Sequence, residues 1–460
     1  MCGVFGIRSE ERDVARLSYF GLFALQHRGQ ESAGIAVSDR GNLTVLRDMG
    51  LVAQVFDEEK LHALPGNVAI GHTRYSTTGS THWANAQPLV HHGRTRTIAL
   101  GHNGNLTNTA ELRDELAADR IVLGATSDTE AIAALIARDP APIEQAVAQS
   151  MRKLEGAYSV VALSDGKLVG FRDPHGIRPL ALGRLGTDWV LASETCALDL
   201  IGATFERDVR PGEVVVIDED GLHATQALPE GRQALCIFEH VYFARPDSTL
   251  AGAEVHGVRV RMGERLATEA PVEADLVMPI PDSGTPAAVG FSRASGIPYS
   301  EGLIKNRYVG RTFIQPDDAL RQQGIKMKFN PLAEVSGKRL VIVDDSIVRG
   351  STMKQLVAML FEAGAAEVHV RVSSPPIVSP CFYGIDMADE EQLAASHRSV
   401  EEMRDLIGAT SLHYLSLDGM QASTRLPEQS VCRACFTREY PTRVPAARNL
   451  AKLRFESARS

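Results

Sequence analysis

The stretch KRLVIVDDSIVRGSTMKQLVAMLFEAGA, residues 338–365, leaves a chain few ways to fold. Leu340 to Val343 form a buried strand, and Met353, Leu356, Val357, Leu360 and Phe361 then recur at i, i+3, i+4, i+7 and i+8, one face of an amphipathic helix. Gly364 is a natural helix end. Between strand and helix lies DDSIVRGST, a polar loop feeding a helix N-terminus, where backbone N–H groups and the dipole favour a phosphate. Asp344 and Asp345 fall at the carboxyl edge of the strand, where open α/β sheets bind ligands. A magnesium site of a P-loop ATPase would need a partner G-x-x-x-x-G-K-[ST], and the chain has none. A bare strand–turn–helix connection would not require two acids followed by Arg349, Gly350, Ser351 and Thr352. DLVMPIP (275–281) repeats the pattern of an apolar run ending in a polar loop, so the second half of the chain is expected to hold a mostly parallel sheet.

The first half has a different rhythm. NVAIGHTRYST, RTIALGHNGNL, SVVALSDGKLVGF, WVLASE and EVVVIDEDG alternate with glycine turns, which predicts layered α/β structure with sizeable antiparallel sheets. SDTEAIAALIARD adds a helix in which Ser127 and Glu130 have the spacing of a capping box. LPEGRQA, near 228–234, reads as a linker, so the expected units are residues 2–230 and 235–442, followed by a polar, basic tail over 443–460. A net charge of −9 argues against a nucleic-acid surface but leaves anionic small molecules open. No apolar run approaches the roughly 18 residues of a membrane span, and the charges from Arg8 to Asp13 break up any secretory signal. The expected compartment is the cytoplasm, where six cysteines serve metal binding or catalysis more readily than disulfides.

The chain opens MCGVFGI. Methionine is normally clipped before a small residue, which would leave Cys2 with a free α-amine beside its thiol. An α-amine has a reference pKa of about 7.7–8.0 and serves as a base near neutral pH, so such a nucleophile needs no separate histidine. Cys2 is equally compatible with a small residue entering a strand over Val4–Ile7.

DDSIVRGST resembles the phosphoribosylpyrophosphate (PRPP) motif of type I phosphoribosyltransferases. The resemblance implies that Asp344 and Asp345 hold the ribose hydroxyls, that Ser346, Arg349, Gly350, Ser351 and Thr352 surround the 5′-phosphate, and that Ser283, Asp344 and Asp345 lie about a Mg²⁺ that neutralises the diphosphate. PDSG (281–284) resembles the pyrophosphate loop of that fold, and GLIKNRYVGRTFIQP (302–316) its lid, carrying Lys305, Arg307 and Arg311 over the substrate. Taken alone, those cations also suit a solvated loop. The lid is expected to be disordered without PRPP.

MCGVFGI, LQHRGQESAGI, GHTRYSTTG, GHNGNL and TSDTEA, in that order, resemble the glutamine amidotransferase domain of the N-terminal-nucleophile class, an αββα sandwich. The resemblance implies that the Cys2 thiol attacks the side-chain amide of glutamine, releasing ammonia and leaving a thioester for water to cleave. Asn103 and the N–H of Gly104 would then be oxyanion donors, Arg74 would pair with the α-carboxylate of glutamine and Asp128 would accept its α-amine. On the residues alone, Asn103-Gly104 also suits a tight turn and Asp128 a helix N-terminus. Arg28 is read as a brace for the nucleophile strand, and Cys196 as a core residue.

Four cysteines remain: Cys236, Cys381, and the C-x-x-C of Cys432 and Cys435. By spacing this is weak evidence for zinc or iron–sulfur ligation, and small buried residues explain it as well. CIFEHVYFARPDS, PCFYGIDM and CRACFTREYPT, however, closely resemble the cluster-binding segments of the iron–sulfur branch of the amidophosphoribosyltransferase family. That resemblance implies a structural 4Fe–4S cluster on the four cysteines. It also implies purine nucleotide inhibitors near the PRPP pocket and a homo-oligomer, a tetramer. Members often carry a short propeptide. With Cys2 already second here, methionine removal is the expected maturation. The implied function is the first committed step of purine synthesis, joining glutamine and PRPP. Another class II amidotransferase would lack a reason for DDSIVRGST, and a non-catalytic PRPP-binding regulator would have no use for Cys2, Arg74, Asn103 and Asp128 together.

Overall fold

A computed structural model describes residues 1–76, 81–306, 327–387 and 390–444 of the protein. Its first half is built on two antiparallel sheets. The strands are β1 (Gly3–Arg8), β2 (Ser32–Asp39), β3 (Asn42–Met49), β4 (Val68–Arg74), β5 (Leu89–His92), β6 (Thr97–Leu106), β7 (Gly156–Ser164), β8 (Lys167–Arg172), β9 (Ala181–Leu185), β10 (Asp188–Ala192), β11 (Thr204–Asp208), β12 (Glu213–Asp218) and β13 (Gly221–Gln226). One sheet has the order β11-β9-β10-β1-β4-β2-β3 and the other β13-β12-β8-β7-β6-β5. The expected strand at Val4–Ile7 is thus a central one, paired with β10 on one side and β4 on the other.

Period-2 alternation places the layers. Val4, Ile70, Ala99, Val161 and Leu168 meet between the two sheets, while Phe5, Ile7 and Ile35 pack beneath the helix Val14–Ala24. On the other outer face, Leu100, Val160 and Phe171 lie under the helices Thr109–Ala118, Asp128–Arg138 and Ile143–Met151. Helix, sheet, sheet and helix stack as the anticipated αββα sandwich. The capping box expected at Ser127 does not form. Ser127 stands at the N-cap with no side-chain cap bond, and Glu130 turns instead to the backbone N–H groups of Gly124 (2.9 Å) and Ala125.

The second half carries a four-stranded, all-parallel sheet in the order Leu276–Pro279, Arg339–Asp344, Glu367–Val372, Ser411–Tyr414. The helix foreseen after the acidic loop runs Ser351–Glu362. It buries Met353, Leu356, Val357, Met359 and Leu360, but Phe361 is 38% exposed. The apolar stripe is therefore turned one position from the one read off the sequence, with Met359 inside. Helices Val255–Glu269 and Thr285–Ser295 cross closely, because a Cβ on Gly263 would overlap the carbonyl of Ala287 and one on Gly290 that of Val260. Arg307, Arg311 and most of the expected lid lie outside the described residues, as does the tail from 445 onward.

The two halves meet over a buried ionic joint. Arg28 donates to Glu239 at 2.9 and 3.1 Å and to Glu194, while Arg178 donates to Glu239 at 3.3 Å, and all four side chains are fully buried. Glu194 also accepts from His27 (2.7 Å), Ser248 (2.6 Å) and the Arg245 N–H (2.9 Å). Burial alone would raise the Glu194 pKa, but His27 and Arg28 outweigh it and hold the carboxyl well below the usual range. Its contribution to stability is therefore full above about 4.3, the unfolded carboxyl value, and is lost only as pH falls through the lower folded value. Glu239→Ala leaves two buried guanidiniums short of charge and should cost about 3–5 kcal/mol. A clearly lowered urea midpoint is the expected result, and an unchanged one contradicts this account of the joint.

Candidate active sites

Cys2 is 7% exposed and lies at the start of β1, with its carbonyl held by Arg28 Nε at 2.9 Å. The brace read from the sequence is thus a direct contact with the main chain of Cys2. The N–H of Cys2 donates to Asn103 Oδ1 at 3.2 Å, and its Sγ sits 3.5 Å from both the N and the O of Tyr75. Asn103, fully buried in β6, leaves its Nδ2 without a hydrogen-bond partner. An amide with one end on the Cys2 N–H and the other end an unmade buried donor could meet an anion placed beside Cys2. Gly104 follows with φ +154°, and a Cβ there would overlap the Ala157 carbonyl and meet His102 Nε2 at 2.7 Å. No side chain fits, which keeps the main chain at this point bare.

Arg74 ends β4 beside this group, 2% exposed, with Glu31 at 3.5 Å, and Ser76 donates to the same carboxylate at 2.9 Å. Glu31 is a carboxylate that sequence reasoning did not single out, although it stands within LQHRGQESAGI. Asp128 opens the helix Asp128–Arg138, accepts the Leu106 N–H at 2.9 Å and lies 3.6 Å from His102 Nδ1. Burial would raise its pKa, but His102 and the backbone donors lower it on balance, so Asp128 is a carboxylate at neutral pH.

At the other site, Asp344 ends the second parallel strand and Asp345 begins the loop. The PDSG loop lies alongside: Ile280 N–H donates to Val343 O at 2.8 Å, and a Cβ on Gly284 would overlap that same carbonyl. Ser346 Oγ donates to Asp345 at 2.5 Å, and the Ser283 hydroxyl reaches the same carboxylate. Burial raises the pKa of both acids, and the charge of Asp345 raises Asp344 further. Two adjacent carboxylates, Asp345 buried and Asp344 half-buried, that resist ionising favour a cation or hydroxyl donors between them. Among the described residues no group of three His, Cys, Asp or Glu side chains is placed to hold one metal ion. Mg²⁺ is commonly held by one or two carboxylates plus substrate phosphates and water, and Asp344 and Asp345 are carboxylates of that kind.

Gly350, at φ +76°, caps the helix Ser351–Glu362 in the left-handed conformation that glycine tolerates, and Arg349, Ser351 and Thr352 are exposed around it. Lys305 is anchored to the PDSG loop rather than free: its Nζ donates to Asp282 at 2.5 Å from the short strand Leu303–Lys305.

The remaining cysteines converge in one cluster of core residues. Leu235–Cys236 pairs in parallel with Val431–Cys432, Cys236 opposite Cys432. The Cys435 carbonyl accepts the N–H groups of Val378 (2.9 Å) and Ser379 (3.1 Å), which brings the Cys381 segment alongside. All four are free thiols. Burial pushes Cys236 up to about 11, and the charges of neighbouring cysteines push Cys236, Cys432 and Cys435 in the same direction. Thiols raised in this way stay protonated and pack as small core residues; as thiolates the same four, beside Phe238, Phe436 and Tyr383, would need a positively charged group among them. The donor set fits an iron–sulfur cube, which takes each thiolate at a separate corner. Cys196 is apart from them, buried under the Val14–Ala24 helix as expected of a core residue. The residues missed were the acids of the joint: Glu239 lies in CIFEHVYF, where a lone acid in an apolar run was the available signal.

Residues 72–200 match the family described as a glutamine amidotransferase domain, and residues 253–374 the phosphoribosyl transferase domain. The amidophosphoribosyltransferase of Mycobacterium tuberculosis is 52% identical over 468 residues, covering 98% of this chain and 88% of the relative. That of Bacillus subtilis is 46% identical over 450 residues, covering 96% of this chain and 94% of the relative. Among solved structures, the glutamine PRPP amidotransferase from B. subtilis complexed with ADP and GMP superposes with a TM-score of 0.91 at 45% identity, covering 96% of this chain and 98% of that one. A structure described as the allosteric regulatory enzyme of purine biosynthesis gives a TM-score of 0.92 at 45% identity, covering 96% of this chain and 97% of that one. Likeness of this degree runs through both halves and their junction, and the chain belongs to the amidophosphoribosyltransferase family.

Proposed function

We propose that the protein transfers the amide nitrogen of glutamine to PRPP, giving 5-phosphoribosylamine, glutamate and pyrophosphate, the first committed step of purine synthesis. The observation that carries this reading is the unused Nδ2 of Asn103, held against Cys2 by its own Oδ1, in the same chain as the paired acids at the end of a parallel sheet. The amidotransferase unit is residues 2–230 and the transferase unit 235–442. Arg74 and Asp128 bind the charged end of glutamine. The α-amine of Cys2, free once the preceding methionine is removed, takes the thiol proton, and Sγ attacks the amide carbon. The developing oxyanion is met by Asn103 Nδ2 and the Gly104 N–H. Ammonia leaves, and water cleaves the thioester to glutamate.

In the second site Asp344 and Asp345 hold the ribose hydroxyls, while Ser346, Arg349 and the N-terminus of helix Ser351–Glu362 hold the 5′-phosphate. Lys305, already drawn to Asp282, and Arg307 complete the anionic pocket. Mg²⁺, with Ser283, Asp344 and Asp345 about it, supplies charge neutralisation for the leaving diphosphate. The iron–sulfur cluster of Cys236, Cys381, Cys432 and Cys435 supplies structure rather than chemistry, pinning the C-terminal segment to the junction. Purine nucleotides would inhibit at or near the PRPP pocket; the B. subtilis relative, complexed with ADP and GMP, supports purine nucleotides as ligands. We place the protein in the cytoplasm as a homotetramer. Among the described residues no helix is long and apolar enough to cross a membrane.

Pyrophosphate release from PRPP, measured anaerobically with Mg²⁺, should proceed with glutamine or with high ammonium in the wild type and only with ammonium in Cys2→Ala. Asn103→Ala should lower glutamine-dependent turnover by about 10²–10³-fold with ammonium use retained. Failure of a cluster-loaded wild type to release pyrophosphate with either nitrogen source sinks the assignment. Iron and acid-labile sulfide should be present in equal amounts and both lost in Cys432→Ser. Zinc in their place would overturn the cluster.

A further inference from the structure

Arg178 has an unusual set of partners. It lies on the segment after β8 and is fully buried. Its Nε donates to the Tyr383 carbonyl at 2.7 Å and its Nη1 to Glu239 at 3.3 Å; a further contact of Nη1 with Met1 Sδ is lost when that methionine is removed. Among the described residues Nη2 has no hydrogen-bond partner. A buried guanidinium N–H left unmade is costly, and native structures seldom keep one without a use.

The surroundings say what that use is. The Ile177 carbonyl, one residue before Arg178, accepts the N–H of Cys236 at 3.1 Å. Tyr383, whose carbonyl fixes Nε, donates its own N–H to Cys381 Sγ at 3.4 Å. Arg178 is thus fastened by the backbone on one side to Cys236 and on the other to Cys381. Glu239 offsets part of its charge but makes no bond to Nη2.

We propose that the Nη2–H of Arg178 donates to a sulfur of the iron–sulfur group held by Cys236, Cys381, Cys432 and Cys435, an inference that rests on the cluster reading above. The bond ties the group to the nucleophile by a continuous polar chain. Arg178 and Arg28 share Glu239 Oε1, and Arg28 Nε holds the Cys2 carbonyl at 2.9 Å. The Cys381 segment adds a second link, since Asn105 Nδ2 donates to the Phe382 carbonyl at 3.0 Å and Gly384 packs against Gly104. A hydrogen bond from a cation stabilises the more negative, reduced state of such a group and raises its potential.

The test uses full-length wild-type protein purified anaerobically and reduced with dithionite, with ¹⁵N placed only in the arginine guanidinium groups. Pulsed electron paramagnetic resonance should show a ¹⁵N coupling to the cluster that disappears in Arg178→Lys. Absence of the coupling from a protein that contains the cluster overturns the inference alone, as does its persistence in Arg178→Lys. Absence of iron and sulfide from the wild type removes the cluster reading and the inference together. Arg178→Met should make reduction about tenfold less favourable, a lowering of about 59 mV for a one-electron couple, and an unchanged potential counts against the bond. The wild-type measurement stands whether or not either variant folds.

Discussion

The two halves of this molecule are joined by a fully buried charge, the carboxylate of Glu239. It comes from the transferase side of the linker, yet its partners, Arg28 and Arg178, belong to the amidotransferase sandwich. A carboxylate this deep is tolerable only because two guanidiniums meet it, and the second carboxylate, Glu194, brings the group to charge balance. The geometry of Arg28 then does two things at once. Its terminal nitrogens close the joint while its Nε holds the Cys2 carbonyl, so the placement of Cys2 depends on the presence of the other half.

The two sites are assembled by different physical means. The amidotransferase site is made by register: β1 pairs with β4, which sets Cys2 beside the Arg74–Tyr75 end of that strand, while β6 brings Asn103 up to the Cys2 N–H. The transferase site is made by the edge of a parallel sheet, where two neighbouring strands end together and their loops, PDSG and DDSIVRGST, are forced side by side. Ser283 and Ser346 relieve part of the crowding of like charge at Asp345.

Much of this was legible in the sequence, and the misses have physical causes. Strands and the acidic loop were found because period-2 and period-3.6 patterns are local. Phe361 was misplaced because periodicity gives the direction of a helix face but not how far its neighbours extend over the rim, and here they stop at Met359. The Ser127–Glu130 capping box failed because the chain before the helix offers Glu130 the N–H groups of Gly124 and Ala125, a competitor that no spacing rule contains. Glu239, Glu194 and Arg178 went unremarked because their meaning lies in partners far away in sequence. Cys2 and Asn103 are just as far apart, but their motifs could be set beside a family pattern, whereas a lone charge in an apolar run could not.

The two-residue strand pair Leu235–Cys236 with Val431–Cys432 is small in area and large in consequence. It is parallel, and the loop it closes contains the whole four-stranded sheet with its helices. Loop closure of that length carries an entropy that only a folded interior can offset. During synthesis the first of these strands leaves the ribosome long before its mate exists, and the sandwich can gather around it in the meantime. The pair is therefore a clasp across the whole second half, holding the two ends of that loop together around the sheet between them.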